Sequence, residues 1–471
     1  MEKFKRLSLQ NRVKHATIVG NMSGLSPQPY KGSTDFYPED MRVRSYIFGT
    51  WRKVVEGFGY EAYDAPLLEP LEVYAAKTGQ EIVNEQTYQF TDRGGRNVAI
   101  RPEMTPSVSR MVAARRQELG YPVRWYNIAQ FMRYERPQRG REREFWQLNA
   151  DIFGVDGVTA DAEIIVMADR IMKAFGADKS MYTIRVNNRR MINLMMSEYL
   201  GLDVVQSQLM IKLFDRKDKL SREDFDTQAR DIFGAEQMTG GMEKIAKLLE
   251  ATTMAGLPKE LLDSDVVRDV QELFTLLHEA GVENAGFDIS LMRGFDYYTG
   301  MVFEVFDNHP DNNRAMFGGG RYDGLVGLFG AEPVPTVGFA PGLTMTQLFL
   351  ESHGLLPRFV STTDVYMVVL GDVQKAARKL ADELRSEGVR VAVDVTGRSI
   401  DKQIRTAVKQ KINYLLFVGE QEIRDEMYKL KDVASETEQE LSLERVVSTV
   451  IDRRRQQRRS QKPNNDDVLD V

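Results

Sequence analysis

Apolar residues first recur at helical spacing after residue 40: Val43, Ile47, Trp51, Val54, Val55 and Phe58 share one face. The polar stretch 35–40 precedes them, and Gly57 and Gly59 follow as stops, so the pattern predicts a helix. Residues 87–90 and 97–100 alternate around Asp92, Arg93, Gly94 and Gly95 and predict a hairpin. A helix should follow Thr105 and Pro106, and two longer strands should span 122–134 and 144–153. The pattern then predicts a helix over 159–176 and a largely helical insertion over 186–282. Strand character returns at 300–307 and 335–340, on either side of Gly318, Gly319 and Gly320, and a helix starts at 342. A linker over 354–362 separates this from a different pattern. Short apolar runs at 365–370, 389–395 and 414–418 alternate with helical stretches from 372 and from Arg398, which predicts a small, mostly parallel α/β domain. Residues 1–29 carry no clear period and read as an extension. A basic run at 453–459 precedes a polar end, so 457–471 reads as a disordered tail.

Two features along this pattern point to chemistry. Between the longer strands, five arginines (133, 136, 139, 141 and 143) fall within eleven positions. A solvated hairpin tip would explain them, and so would a grip on phosphate, because guanidinium forks match phosphate oxygens. The strand that follows favours the grip. Its period of two puts Trp146, Leu148, Ala150 and Ile152 on one face and Gln147, Asn149 and Asp151 on the other. Three polar groups in a row at mid-chain are costly unless they meet water or a ligand. Arg101, Glu103 and Thr105 end a strand, as a salt bridge with a helix cap or as part of a site. The stretch 293–300 (RGFDYYTG) offers arginine and tyrosines on a glycine-bounded turn. The glycines of 318–324 (GGGRYDG) let backbone approach something closely.

Composition narrows the field. The 471 residues suggest two or three domains at roughly 150 residues each. The chain contains no cysteine, which removes disulfides, iron–sulfur clusters and cysteine nucleophiles, and its four histidines are not at metal-ligand spacing. No protein-held metal site is expected. A net charge of −6 excludes a wholly basic coat but not local basic patches. No apolar stretch approaches a membrane span, and the basic N-terminus lacks the apolar core of a secretory signal, so the cytoplasm is the expected compartment. No Gly-Lys dipeptide occurs, so a Walker loop is absent, and no GxGxxG opens a helix after a strand.

Over about 31–450 the segments, in this order, resemble class II aminoacyl-tRNA synthetases and, among them, the histidyl-tRNA synthetases. The stretch 133–145 (RYERPQRGREREF) is similar to that family's motif 2, and 293–300 to its second histidine-specific motif. GGGRYDGLVG at 318–327 follows in the order the family keeps. The first helix and Pro66 resemble motif 1, the dimer-forming element, and Gly397, Arg398, Ser399, Ile400, Lys402 and Gln403 resemble the anticodon-binding domain. The resemblance implies an α+β fold: a class II antiparallel sheet of six or seven strands flanked by helices, a helical insertion and a C-terminal α/β anticodon-binding domain. The boundaries would be 30–353 for the catalytic part and 362–456 for the anticodon part.

It also implies a histidine–tRNA ligase that uses ATP with Mg²⁺, L-histidine and tRNA(His), as a homodimer. Arg133 would hold the ATP α-phosphate, with Arg141 and Glu135 on the rest of the nucleotide. Glu103, Thr105 and Gln147 would take the histidine α-amino group, and Asp151 and Tyr298 the imidazole. Tyr297 and Tyr322 would line that pocket, and Arg293 would lie near the histidine carboxylate and α-phosphate as a catalytic residue beside Arg133. Gln138, Arg139 and Arg398 would contact tRNA. One departure stands out. Motif 3 of the family usually reads Gly-Leu-Glu-Arg-Leu, and here the stretch is Gly342, Leu343, Thr344, Met345, Thr346. A methionine cannot bind phosphate, which keeps open a rival: a histidine-sensing regulatory subunit of ATP phosphoribosyltransferase on the same fold. The retained 293–300 stretch and C-terminal domain favour the ligase. A pure RNA-binding protein would have no need of Glu103 and Asp151 facing a pocket.

Overall fold

The computed structural model describes residues 26–75, 85–217, 220–251, 253–291, 297–312, 314–359 and 361–460, apart from the side chains of 235–239 and 457–460. Arg293, most of the N-terminal extension and the tail beyond Ser460 lie outside the described residues.

The strands run in chain order as β1 (Glu61–Ala62), β2 (Leu68–Pro70), β3 (Gln89–Thr91), β4 (Asn97–Ile100), β5 (Val123–Met132), β6 (Glu144–Phe153), β7 (Tyr182–Asn188), β8 (Ala285–Phe287), β9 (Met301–Asp307), β10 (Ala315–Arg321) and β11 (Thr336–Phe339). Eight of them form one sheet in the order β1-β5-β6-β11-β10-β9-β7-β8. Its six central strands pair antiparallel, and only the edge pairs β1/β5 and β7/β8 are parallel. β2, β4 and β3 make a separate three-stranded sheet.

The first helix spans Pro38–Gly57, with Pro38 in its first turn beside Glu39 and Asp40, where a fixed φ and negative charge both favour a helix start. Its buried residues Ile47, Trp51, Val54 and Val55 join Leu148, Ala150 and Ile152 of β6 in one core. Helices Val158–Ala174, Asp265–Glu279 and Leu343–Ser352 add Ile164, Leu273 and Phe349 to it. All these helices therefore cover one face of the sheet; the other is covered in part, where Val108 and Val112 of helix Thr105–Ala114 pack against Val123 and Phe153, and is open beyond that helix.

The helical insertion begins later than its pattern implies. Residues 186–188 close β7, where Val186 pairs with Phe303, and helices start at Arg189. Within it Met191, Phe214, Phe225, Ile245 and Leu261 form a second core. The three glycines 318–320 lie inside β10 rather than in a loop, because each pairs with neighbouring strands that leave no room for a side chain.

The C-terminal domain carries β12 (Val365–Val369), β13 (Val391–Val393), β14 (Tyr414–Val418), β15 (Met427–Asp432) and β16 (Glu438–Ser442), in the order β13-β12-β14-β15-β16. β13, β12 and β14 are parallel, as expected for strands alternating with helices. The hairpin β15/β16 was not legible in the sequence, since Lys429, Lys431, Glu438 and Glu440 give it the composition of a surface loop. The last helix runs over Leu443–Ser460, past the expected domain end at 456.

Candidate active site

The long hairpin β5/β6 is in register from Val123↔Phe153 to Met132↔Glu144, and it fixes which side chains face the open side of the sheet. Gln147, Asn149 and Asp151 line a cavity of about 830 Å³ there, while Leu148, Ala150 and Ile152 are buried in the helix-covered core. Glu103, Thr105, Arg133, Glu135, Arg141, Tyr297, Tyr298 and Tyr322 line the same cavity. Gln138 and Arg139 are not among its lining residues, and Arg398 belongs to the C-terminal domain. Arg293 cannot be placed, being outside the described residues.

The deep end is built from acid–tyrosine pairs. Tyr322 donates to Asp151 Oδ1 at 2.5 Å, and Tyr297 donates to Glu103 Oε2 at 2.9 Å. Burial pushes the Asp151 carboxyl up to about 7, against a smaller downward pull from the Tyr322 hydroxyl. Burial, then the charge of Glu103, raises the Tyr297 hydroxyl well above its ordinary range, and burial does the same for Tyr298. These phenols therefore act as neutral donors. Tyr63, which the sequence did not single out, is half-buried, and its inward hydroxyl has no hydrogen-bond partner among the described residues. Its titration is raised by burial and by Asp151.

Room for these groups comes from glycine. Asp151 pairs across the sheet with Gly338, and Gly338 with Gly320. A Cβ on Gly338 would stand 2.0 Å from Asp151 Oδ1, and one on Gly320 would stand 2.9 Å from the Tyr298 ring. The close approach expected of the glycine run is thus made by the cleft's own tyrosine.

The shallow end carries the arginines. Arg133 is steadied from behind: its Nε donates to the Pro102 carbonyl at 3.0 Å, and its guanidinium lies 5.3 Å above the Phe145 ring. Arg141 is exposed, 3.5 Å from Glu135 Oε2. The tip of the loop is a tight turn, in which Gln138 and Arg141 exchange backbone hydrogen bonds and Gly140 takes a φ of 79°. Met345 closes on that turn. Its sulfur lies 2.5 Å from where a Gly140 Cβ would be, and Arg314 Nη1 donates to the Arg139 carbonyl at 2.8 Å. Position 345 is therefore a packing seat for the loop.

Arg101 and Glu103 do not read as a simple charge pair. Arg101 reaches Asp64 at 3.1 Å and the Ala65 carbonyl at 2.7 Å. Thr105 is the first residue of helix Thr105–Ala114 and not its cap, a place held by Met104, and its side chain lines the cavity, hydrogen-bonded to Tyr297. Lys212 and Glu304 also line the cavity. No local signal marks Lys212, which arrives from the insertion helix Val204–Asp215. Glu304 alternates with core residues on β9 and reads as an ordinary outward position.

Comparison with known proteins adds the following. The sequence model of histidyl-tRNA synthetase matches residues 32–345, and that of an anticodon binding domain matches 364–453. A histidine–tRNA ligase of Leptospira biflexa is 40% identical over 413 residues, covering 87% of this chain and 94% of its own. One from Thermococcus kodakarensis is 35% identical over 437 residues, covering 89% and 97%. The crystal structure of histidyl-tRNA synthetase from Nostoc sp. PCC 7120 shares the fold with a TM-score of 0.76 at 23% identity, over 91% of this chain and 100% of that one.

Proposed function

The chain belongs to the histidyl-tRNA synthetase family, and we propose that its cleft activates L-histidine with ATP and passes the histidyl group to the 3′ end of tRNA(His). The observation that carries this reading is the union, in one cavity, of arginines at the shallow end and buried acid–tyrosine pairs at the deep end.

The chemistry follows from these groups. The nucleophile is the histidine carboxylate, ionised at neutral pH with an ordinary pKa of roughly 3.5, so adenylation needs no general base. It needs in-line placement and cancellation of charge on the phosphorus oxygens. Arg133, braced by Pro102 and Phe145, is suited to the α-phosphate, and one such preorganised donor contributes about 3 kcal/mol to the transition state. Arg141 and Glu135 lie toward the rest of the nucleotide, and Arg293 is assigned to the carboxylate and α-phosphate. Glu103, Thr105 and Gln147 take the α-amino group. Asp151 accepts an imidazole N–H, with Tyr298 and Tyr322 beside it and Tyr297 holding Glu103. A wrong amino acid leaves these buried groups unpaired and is rejected by roughly 10⁴-fold.

Mg²⁺ enters with ATP and supplies charge neutralisation on the phosphates. Such an ion keeps most of its waters and takes one or two carboxylates, for which Glu135 and Glu142 at the cleft fit. Among the described residues no group of three acidic or histidine side chains forms a cage of its own. Gln138 and Arg139 at the loop tip, outside the cavity lining, are available to the acceptor end of tRNA.

A homodimer is supported by Leu68 and Phe90, which are exposed on one face of the small sheet β2-β4-β3. The cytoplasm is the fitting compartment for this reaction, and no helix among the described residues is long and apolar enough to cross a membrane. The regulatory-subunit reading is not favoured, since the anticodon-domain match and the ligases above span most of the chain.

The test is ATP–pyrophosphate exchange with each of the twenty amino acids. Exchange with histidine alone is expected. Its absence, with histidine still bound in calorimetry, would overturn the ligase reading.

A further inference from the structure

The arginine-rich loop also carries acids. Glu135, Glu142 and Glu144 each stand next to an arginine in the sequence. A carboxylate that pairs with a guanidinium takes the donors and the charge a phosphate would use. The structure gives two of these acids neutral partners instead. Glu144 takes the side-chain amide of Gln130. Glu142 takes two hydroxyls: Thr34 donates to its Oε1 at 2.8 Å and Thr344 to its Oε2 at 2.7 Å. Among the described residues Glu142 makes no ion pair, although Arg141 beside it lines the same cavity.

The two hydroxyls come from distant parts of the chain. Thr34 lies on the segment leading into the first helix. That segment is fastened to the loop by the Gly32 carbonyl, which accepts from Arg143 N at 2.9 Å and Glu144 N at 3.2 Å. Gly32 has a φ of 87°, and a Cβ there would stand 2.7 Å from Arg143 Cγ, so the close approach requires glycine. Thr344 stands in the first turn of helix Leu343–Ser352. Arg143 also meets neutral groups: its Nε donates to the Glu135 carbonyl at 3.1 Å, its Nη1 to the Tyr30 hydroxyl at 3.0 Å, and its guanidinium lies 4.0 Å above the Tyr134 ring. Arg141 meets Glu135 at 3.5 Å with 61% of its side chain exposed, a loose pair that a phosphate can displace.

We propose that Thr34 and Thr344 are positioning residues for ATP: by giving both oxygens of Glu142 a neutral donor, they hold this carboxylate off Arg141 and leave that guanidinium to the nucleotide phosphates. This deepens the ligase reading and rests on its assignment of Arg141. An aliphatic side chain at either position leaves a carboxylate oxygen without its donor, and the carboxylate then turns to the adjacent guanidinium, a stronger donor than water.

The test measures ATP affinity by calorimetry in EDTA, where no ion engages Glu142, and exchange kinetics in Mg²⁺. Thr34→Val combined with Thr344→Val should weaken ATP binding by roughly 2- to 5-fold, the scale of one exposed ion pair that must open before phosphate enters. KM for ATP in exchange should rise with it, and KM for histidine should not. Thr34→Ser with Thr344→Ser keeps both hydroxyls and should bind ATP as wild type does. Adding Glu142→Gln to the valine pair removes the charge that quenches Arg141 and should restore affinity in EDTA. Thr34 is exposed, so Thr34→Val alone decides the matter if the pair fails to fold. A loss that Glu142→Gln does not relieve is what a merely structural clasp would give, and it overturns the proposal. Arg141→Ala separates the two readings. Unchanged ATP affinity in that variant would sink the assignment of Arg141 to the nucleotide, whereas a loss there with none in the valine pair sinks the positioning role alone.

Discussion

Asp151 offers the sharpest quantitative consequence of the cleft. The carboxyl is buried, and burial moves its titration from 3.8 to about 7. The folded state therefore binds this proton more tightly than the unfolded chain does. Above pH 7 the folded enzyme bears the whole cost of a buried charge. As pH falls through 7 the folded group takes up a proton and stability is gained, until about pH 4, where the unfolded chain is protonated as well. The displacement corresponds to about 4 kcal/mol at 1.36 kcal/mol per pH decade. Asp151→Asn removes the charge while keeping an acceptor for the Tyr322 hydroxyl. It should make the ligand-free enzyme more stable than wild type at pH 8, by up to about 4 kcal/mol or roughly 8 °C at ~2 °C per kcal/mol. The gap should shrink toward zero near pH 4. Comparing the two proteins at each pH cancels other titrating groups, including Asp161, which burial raises to about 6. The measurement is thermal unfolding from pH 4.5 to 8, with histidine affinity by calorimetry. Histidine binding should collapse in the variant while ATP binding persists. A gap that does not depend on pH, or a wild type more stable at pH 8, would refute the argument that this carboxylate is held under strain for its ligand.

Other perturbations follow from the same geometry. Gly338→Ala places a methyl 2.0 Å from Asp151 Oδ1; it should raise KM for histidine and destabilise by about 1–3 kcal/mol, and an unchanged KM would show that the carboxylate does not need that space. Arg133→Ala should cut exchange by roughly 10²- to 10³-fold with histidine affinity retained, as read by exchange and calorimetry together. Arg321 pairs with buried Asp161 at 2.7 Å, so Arg321→Met should cost about 3–5 kcal/mol in urea unfolding, and adding Asp161→Asn should recover part of it. Replacing both Leu68 and Phe90 by glutamate should yield monomers in sedimentation, whereas an intact dimer would move the interface away from the small sheet.

The sequence by itself determined the elements whose burial follows a local period. Alternation along 146–152 separated a core face from a polar face, and the spacing from Val43 to Phe58 marked the first helix, because backbone geometry alone sets those repeats. It also carried the arginine loop, whose composition is unusual wherever it falls. It could not set the partners. Glu103 meets Tyr297 across 194 positions and Asp151 meets Tyr322 across 171, pairings that only strand order and packing bring about. It could not say that Met345 would pack on Gly140, or that Lys212 would come from the insertion to the cleft. Nor did the glycine run reveal itself as a strand, since its reason is the volume of Tyr298 and of neighbouring strands. Periodicity records which side of an element is dry; what stands opposite each polar group is settled by the competition for space and hydrogen bonds once the sheet closes.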